Sequence, residues 1–459
     1  MHGYINPDAI LCCSHLVGAW LVRLHGAFTV SKAHQLGHTS LLYTMPFQIV
    51  IVGGGIAGLA AAIALRASGR QITVFEQSRL LAEIGATISL QPNASRIMQR
   101  EWELEGLLER ARGMVDQGFR IYNTDGHMVN SVPLAGKTEY EGDRIMYHRQ
   151  DLHEYMRFEA TSPNRAGPPA EIRTSCRLTA CDANAGQVTL ESGEIVQADL
   201  IIGADGIHSV LRGLVVNENV PTVPTGLSAY RLMVPSARLE QKSPEFCERI
   251  NPREPFTSMV MAHDCRLIMG PAREGEVYSL VGLVPDEHMY ENADPKQSWR
   301  SRGEIGKMLE TFKDFPPWIT TLFSLADDIG LWQLRDIQPL NSWTKGRLIL
   351  IGDAAHAMLP TQGQGASQTI EDAEALGAFF EGVGESPSKT KIEHTLQRIY
   401  KCRHERASLI QRYSRQAAKP ATDKGSSEIK MKPDEFMDYN CMYRGAKHWQ
   451  QRHVVAGTA

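Results

Sequence analysis

Apolar residues along this chain follow two patterns, and the alternation between them divides it into parts. Gln48 to Val52 is almost continuously apolar and β-branched, as a strand buried on both faces of a parallel sheet should be. Leu59 to Ala67 is rich in Ala and Leu, which favour helix, Gly69 closes that helix, and Gln71 to Phe75 reads as a second strand. The same dense apolar texture returns at Ala198 to Gly203 and at Leu348 to Ile351. Between those two segments, from Thr225 to about Gly330, strand-like stretches at 229–235, 257–261, 266–271 and 277–285 follow one another without long helices, which predicts an antiparallel sheet. Ser162 to Pro169 is a Pro- and Gly-containing loop, and 386–416 reads as a long charged helix. The polar stretch after Lys419 is expected to be loosely ordered.

Composition narrows the class. The 459 residues carry 48 Lys plus Arg against 52 Asp plus Glu, a formal charge of −4, so nothing is built to neutralise a nucleic-acid backbone. A 42% hydrophobic content is enough for a substantial core and excludes disorder, collagen and coiled coil. The eight cysteines have no regular spacing and no zinc-site partners, and are read as free thiols in a reducing compartment, hence a cytoplasmic protein. In residues 1–44 the apolar run Ala9 to Val22 is shorter than the ~20 residues of a membrane span and lacks the preceding basic residues of a signal peptide. An unstructured extension is preferred there over an organelle presequence or an anchor, and Met45, directly before an apolar strand, looks like a natural start.

Candidate chemistry begins where the first strand ends. Gly53-Gly54-Gly55-Ile56-Ala57-Gly58 satisfies G-x-G-x-x-G between a strand and a helix. Gly53 permits a tight turn, Gly55 lets backbone N–H groups approach a pyrophosphate, and Gly58 lets helix and strand pack closely, with the phosphate on the helix N-terminus. Glu76 closes the second strand, where a carboxylate accepts hydrogen bonds from an adenosine ribose and disfavours a 2′-phosphate; the dinucleotide is FAD or NAD rather than NADP. No second G-x-G-x-x-G occurs, so any nicotinamide lacks its own Rossmann unit and binds transiently.

Two later segments choose between FAD and NAD: Ala198 to Ser209, with Asp205-Gly206 after an apolar strand, and Gly346 to His356, with Gly352-Asp353-Ala354-Ala355-His356 followed by Pro360 and Gly363-Gln364-Gly365-Ala366. From about Phe47 to about Arg415 the chain resembles the single-component FAD-dependent aromatic hydroxylases, the group that includes salicylate hydroxylase and para-hydroxybenzoate hydroxylase. The resemblance implies that Glu76 binds the FAD ribose, that Asp353 binds the ribityl chain, and that Gly365 and Ala366 lie beside the isoalloxazine. It places Ser89 in the loop Glu83 to Ser89 that passes the flavin, Arg149 of Arg149-Gln150-Asp151-Leu152 against the cofactor, and Asp205 near the pyrophosphate. Thr87 stands where the family often has Gly, and Gly270-Pro271 where it often has Tyr-Pro; His263 and Arg273 are near enough in sequence to compensate.

The resemblance further implies reduction by NAD(P)H, reaction with O2 to a flavin hydroperoxide, and oxygen transfer to a phenolic or related aromatic substrate, in specialised metabolism. Epoxidation or ring dearomatisation on the same fold, and a non-catalytic flavin-binding protein, are the alternatives. Tyr230 and Arg231 are the catalytic candidates, since an Arg fork stabilises a phenolate or carboxylate; period-two alternation leaves open a Tyr230 in the sheet core and an Arg231 in solvent. The expected architecture is α/β: a Rossmann-type FAD-binding domain from 45–120, 149–215 and 331–385, a substrate-side segment at 121–148, an inserted, mainly antiparallel sheet domain at 216–330, and a C-terminal helix and tail at 386–459. No nucleic acid, metal or membrane span is expected; oligomeric state is left open.

Overall fold

The computed structural model describes residues 45–79, 86–134, 138–286, 300–419 and 428–456. The expected N-terminal extension, 1–44, and the start of the flavin-passing loop, Glu83 to Gly85, lie outside them. Strand Phe47–Val52 is the centre of a six-stranded sheet. It pairs in parallel with Arg70–Phe75 on one side and Leu200–Gly203 on the other. Glu171–Arg173 extends the sheet beyond the former and Leu348–Leu350 beyond the latter, both parallel, with Thr344–Lys345 as an antiparallel edge. Alternate side chains of the central strand enter different cores: Phe47, Ile49 and Ile51 pack with the helices Ile56–Leu65 and Gly365–Phe380, whereas Val50 and Val52 pack with Leu211, Trp343 and Ala354. Both faces being covered is why the strand is apolar at every position but Gln48, and each fully buried side chain contributes roughly 1.5–3 kcal/mol.

The second sheet has eight strands in the order 300–302, Ile329–Asp336, Val223–Pro235, Val277–Pro285, Arg266–Ala272, Phe256–Met261, Gly118–Tyr122, Met128–Pro133. Every pairing is antiparallel except that of Phe256–Met261 with Gly118–Tyr122. One face carries Tyr230, Leu232, Val234, Leu267, Tyr278 and Leu280 into a core shared with Phe246, Phe312, Trp318 and Phe323 from the overlying helices and turns. The other face carries Ala229 and Leu283 into a smaller cluster with Leu359, which belongs to the segment leading to Gly363. A small sheet of Thr87–Leu90, Ile145–His148 and Met114–Val115 adjoins it. The α/β architecture, with a mainly antiparallel second sheet, is as expected from the pattern.

The C-terminal region departs from expectation. Helix Lys389–Ala418, capped by the Ser388 hydroxyl accepting the Lys391 N–H (3.2 Å), is followed by Pro433–Cys441 and Ala446–Ala456, which are packed and not loose. Phe436 is buried and stacks on Tyr413, with ring centroids 3.5 Å apart, and Trp449 meets Phe379. Arg406 donates to the carbonyls of Tyr439 and Asn440 (2.7 and 2.8 Å). Phe436, Tyr439 and Tyr443 recur at near-helical spacing, a signal short enough to be lost in the polar residues around it.

Glu374 anchors the last helix. Its two oxygens accept the Ala446 N–H (3.0 and 3.1 Å), and Oε2 also accepts the Tyr443 hydroxyl (3.0 Å). Burial, and after it the charge of Glu101, pushes the Glu374 carboxyl up to about 7. A carboxyl with a raised folded-state pKa stabilises fully below its ordinary 4.5 and loses that contribution as pH climbs through about 7. The unfolding midpoint is therefore expected to fall across that window, and Glu374→Gln to flatten the fall; equal slopes for the two proteins would place the titrating group elsewhere. Among the described residues none of the six cysteines is in a disulfide, and no helix is long and apolar enough to cross a membrane.

Candidate active site

The glycine loop is built by exclusion. A Cβ at Gly53, where φ is +109°, would sit 2.2 Å from the Ala204 carbonyl oxygen, and one at Gly58 would sit 1.9 Å from that of Gly53. A Cβ at Gly55 would meet no atom within 4 Å. The outer two glycines thus close strand, turn and helix on one another, and the middle one leaves open space before the N-terminus of Ile56–Leu65, whose first N–H groups have no partner within the helix. Glu76 stands at this mouth: its Oε2 accepts the Gly54 N–H and its Oε1 the Ser78 N–H, both at 2.8 Å. The Gly54 carbonyl lies 2.8 Å from Nε2 of buried His153, so this residue is held at both its N–H and its C=O. His153 directly follows Arg149-Gln150-Asp151-Leu152 but carried no separate signal of this role.

Asp205 and Asp353 are brought to neighbouring turns. Asp205 Oδ2 accepts the N–H groups of Val210 and Leu211 (2.8 and 3.3 Å), its Oδ1 is buried without a hydrogen-bond partner, and burial raises its pKa. Buried Arg212 donates to the carbonyls of Gly206 (3.2 Å), Ile207, Asp353 and Ala354 (2.9 Å each), stapling the Asp205 loop to the Asp353 turn. No spacing in the sequence announces this role of Arg212, since its partners Asp353 and Ala354 lie 141 and 142 positions away. Asp353 itself is exposed at the start of the short helix Asp353–His356.

Gly365 and Ala366 open the 16-residue helix Gly365–Phe380. The strand carrying Ser89 is tied to that opening, since the Gln91 N–H donates to the Ser367 hydroxyl (3.0 Å) and Asn93 to the Gln364 side chain (3.3 Å). Ser89 accepts a hydrogen bond from Arg144 (2.9 Å), which also donates to Thr257 (2.8 Å) and pairs with fully buried Asp116. Burial pulls the Arg144 pKa down to about 10, which leaves it charged at neutral pH. This pair, unforeseen in the sequence, locks the Ser89 strand to the eight-stranded sheet. Thr87 lies in extended backbone and its hydroxyl donates to that of Ser279 (3.1 Å). Asp151 of the Arg149 segment makes a two-point ion pair with Arg273 (2.8 and 2.7 Å), so Arg273 is occupied there, and His263 is exposed in the hairpin before Arg266.

Alternation along Val223–Pro235 separates the two catalytic candidates. Tyr230 is 1% exposed, with its ring against Phe312 in the helix-covered core, which corrects the expectation that it meets a substrate. Arg231 lies on the other face, two residues from Ala229, which clusters with Leu359, and two from Met233, whose cross-strand neighbour Ser279 holds Thr87. Both flanking contacts belong to segments expected beside the isoalloxazine, so Arg231 occupies the span between them. Its guanidinium is 5.1 Å from the Trp332 ring centroid, and burial, then the charge of Arg149, lowers its pKa. Arg149, at the start of the helix Arg149–Thr161, and Arg231, in the eight-stranded sheet, are thus near enough for one charge to act on the other.

The FAD binding domain family matches residues 46–385 of the chain. Hispidin-3-hydroxylase of Neonothopanus nambi is 33% identical over 374 residues, covering 79% of this chain and 86% of that protein. The chain belongs to the FAD-dependent monooxygenases. Another relative of this monooxygenase is 6-hydroxynicotinate 3-monooxygenase of Bordetella bronchiseptica, 29% identical over 80% of this chain and 90% of that protein. Among solved structures, a salicylate hydroxylase substrate complex aligns with a TM-score of 0.67 and 26% identity over 82% of the monooxygenase and 88% of that chain. The residues present fit FAD: the open space at Gly55, the Glu76 carboxylate and the exposed Asp353 each follow the C-terminal end of a parallel strand of one sheet, where such sheets hold dinucleotides.

Proposed function

We propose that this monooxygenase hydroxylates a phenolic or related aromatic molecule with O2 and NAD(P)H, and that Arg231 holds the substrate's phenolate or carboxylate. The observation that carries the reading is Arg231 itself. It is a half-buried cation resting on an indole, on the sheet face turned toward the FAD segments, with no carboxylate in hydrogen-bond range among the described residues. A desolvated fork of this kind favours a planar anion. The names of the relatives, hydroxylases or monooxygenases of hispidin, 6-hydroxynicotinate and salicylate, support it.

In this reading Gly53, Gly55 and Gly58 receive the pyrophosphate, with Asp205 close by, Glu76 the ribose, and Asp353 the ribityl chain. Ser89 and Arg149 flank the cofactor, and Gly365 and Ala366 lie at the isoalloxazine. Bound FAD supplies the redox chemistry, passing electrons from the nicotinamide to O2 and leaving one oxygen for transfer. The protein's part is placement and exclusion. The N-terminus of Gly365–Phe380 favours negative charge beside it. Leu283, Val281 and Leu359 keep water from the face that bears Arg231. Arg231 keeps the ring's acidic group ionised, which raises its electron density toward attack. Incubation under oxygen-18 gas with a panel of phenolic acids, polyketide phenols and alkenes is expected to place one labelled oxygen on a ring carbon of a phenolic member. Labelled epoxide from the alkenes alone, or oxygen drawn from water, would overturn the reading.

A further inference from the structure

The turn that carries Asp353 is held from behind by side chains that none of the assignments above uses. Gly352 has φ +59° and ψ −143°, a region that only glycine enters freely, and its N–H donates to Asp372 Oδ2 at 2.9 Å. The same oxygen meets Nε2 of His356 at 2.6 Å, so one carboxylate grips the turn at both of its ends. Asp372 Oδ1 accepts from Nε of Arg403 (3.0 Å), a residue with no exposure whose other nitrogens reach Glu371 (2.5 Å) and the Gln368 side chain (2.7 Å). Glu371 is also held by Arg406 through two hydrogen bonds of 2.8 Å and by Asn93 (2.6 Å). Arg406 in turn binds the Tyr439 and Asn440 carbonyls.

Two buried acids and two arginines balance in charge, and each hydrogen bond within the group is charge-assisted. Burial opposes ionisation of Asp372, but His356, Arg403 and the Gly352 N–H outweigh it and lower its pKa; Glu371 behaves likewise through Arg406 and Arg403. A strained turn persists only where its surroundings over-determine it. The network supplies that constraint, and it draws on residues 403, 406, 439 and 440, beyond the stretch 46–385 that matches the FAD binding domain family.

We propose that Asp372 is a positioning residue for FAD: paired with Arg403, its carboxylate holds the Gly352–Asp353 turn in cofactor-binding geometry, and Arg406 relays the docking of the C-terminal helices to that turn. This rests on the reading of Asp353 as a cofactor contact, and the test separates the two. Apoprotein of the full chain is titrated with FAD by flavin fluorescence, and amide hydrogen exchange is followed at Gly352 and, as a reference, in Phe47–Val52. Asp372→Asn is expected to speed exchange at Gly352 and raise the FAD Kd by about tenfold, with the reference strand unchanged. Arg406→Gln, which leaves every partner of Asp372 in place, is expected to move both quantities the same way by about threefold. It also decides the matter should Asp372→Asn not fold. Unchanged Gly352 exchange and FAD Kd in the folded variants would overturn the proposal. Asp353→Asn serves as the control. If it weakens FAD binding while Asp372→Asn and Arg406→Gln do not, the positioning role alone fails; if it leaves FAD binding intact, the reading of Asp353 fails first.

Discussion

Replacing Gly58 by alanine is expected to yield a protein that no longer retains FAD. The added carbon would lie 1.9 Å from the Gly53 carbonyl oxygen, 3.1 Å from its carbon and 3.2 Å from Ile51 Cγ2. The first two are backbone of the turn and the third is a buried strand side chain, so none can yield cheaply. Relief requires helix Ile56–Leu65 to move off the strand end, which costs about 1–3 kcal/mol as overpacking and withdraws the N–H groups meant for a phosphate. An FAD affinity lower by about 100-fold would follow from losing two or so charge-assisted bonds. Gly55→Ala isolates the ligand's share: its Cβ meets no protein atom within 4 Å, so the apoprotein should unfold as the parent does while FAD binding alone suffers. Apoprotein melting curves with FAD titrations check both. A Gly58→Ala protein that stays yellow at parental affinity would show that helix and turn are not in the close contact described.

Arg231→Ala is expected to slow ring hydroxylation by about 10²–10³-fold at unchanged FAD content, the usual cost of removing one preorganised charged donor. Arg231→Lys should recover only part of the rate, because an ammonium cannot present a planar fork. Tyr230→Phe, one residue away, should leave turnover near the parental value and lower stability by about 1 kcal/mol, since the hydroxyl lies in the helix-covered core. Paired measurements of product formation and NAD(P)H consumption are the check. Arg231→Ala turning over like the parent would remove it from the substrate site, and Tyr230→Phe losing hydroxylation would reverse the assignment of the strand's two faces.

The contrast between these two residues shows what the sequence could carry. The glycine loop and Glu76 were legible because their geometry is local: a turn, a helix start and a strand end lie within 24 residues, and each residue type has a steric or charge reason to be there. Tyr230 and Arg231 sit equally well on an alternating strand, and only the helices packing on one face decide which of them is buried. The pair Arg144 and Asp116 was invisible for another reason. Its partners Ser89 and Thr257 come from different sheets, and no spacing along the chain announces such a meeting. The C-terminal helices were misjudged because their apolar signal, Phe436, Tyr439 and Tyr443, is short, and much of their order comes from Arg406, Glu374 and Arg96 reaching them from elsewhere.

Strand Phe47–Val52 is made early, yet its parallel neighbour Leu200–Gly203 and the next strand out, Leu348–Leu350, follow roughly 150 and 300 residues later. At ~5–20 residues per second the ribosome needs roughly 15–60 s to deliver the last of them. During that interval Ile49, Ile51, Val50 and Val52 have no finished sheet to enter, and the nascent chain exposes a strand edge suited to mispairing. Under the proposed reading of Asp353 and Gly365 as FAD contacts, the cofactor cannot shield that edge, because both residues emerge later still. On that reading FAD acts by mass action on a nearly complete chain, stabilising what has already folded.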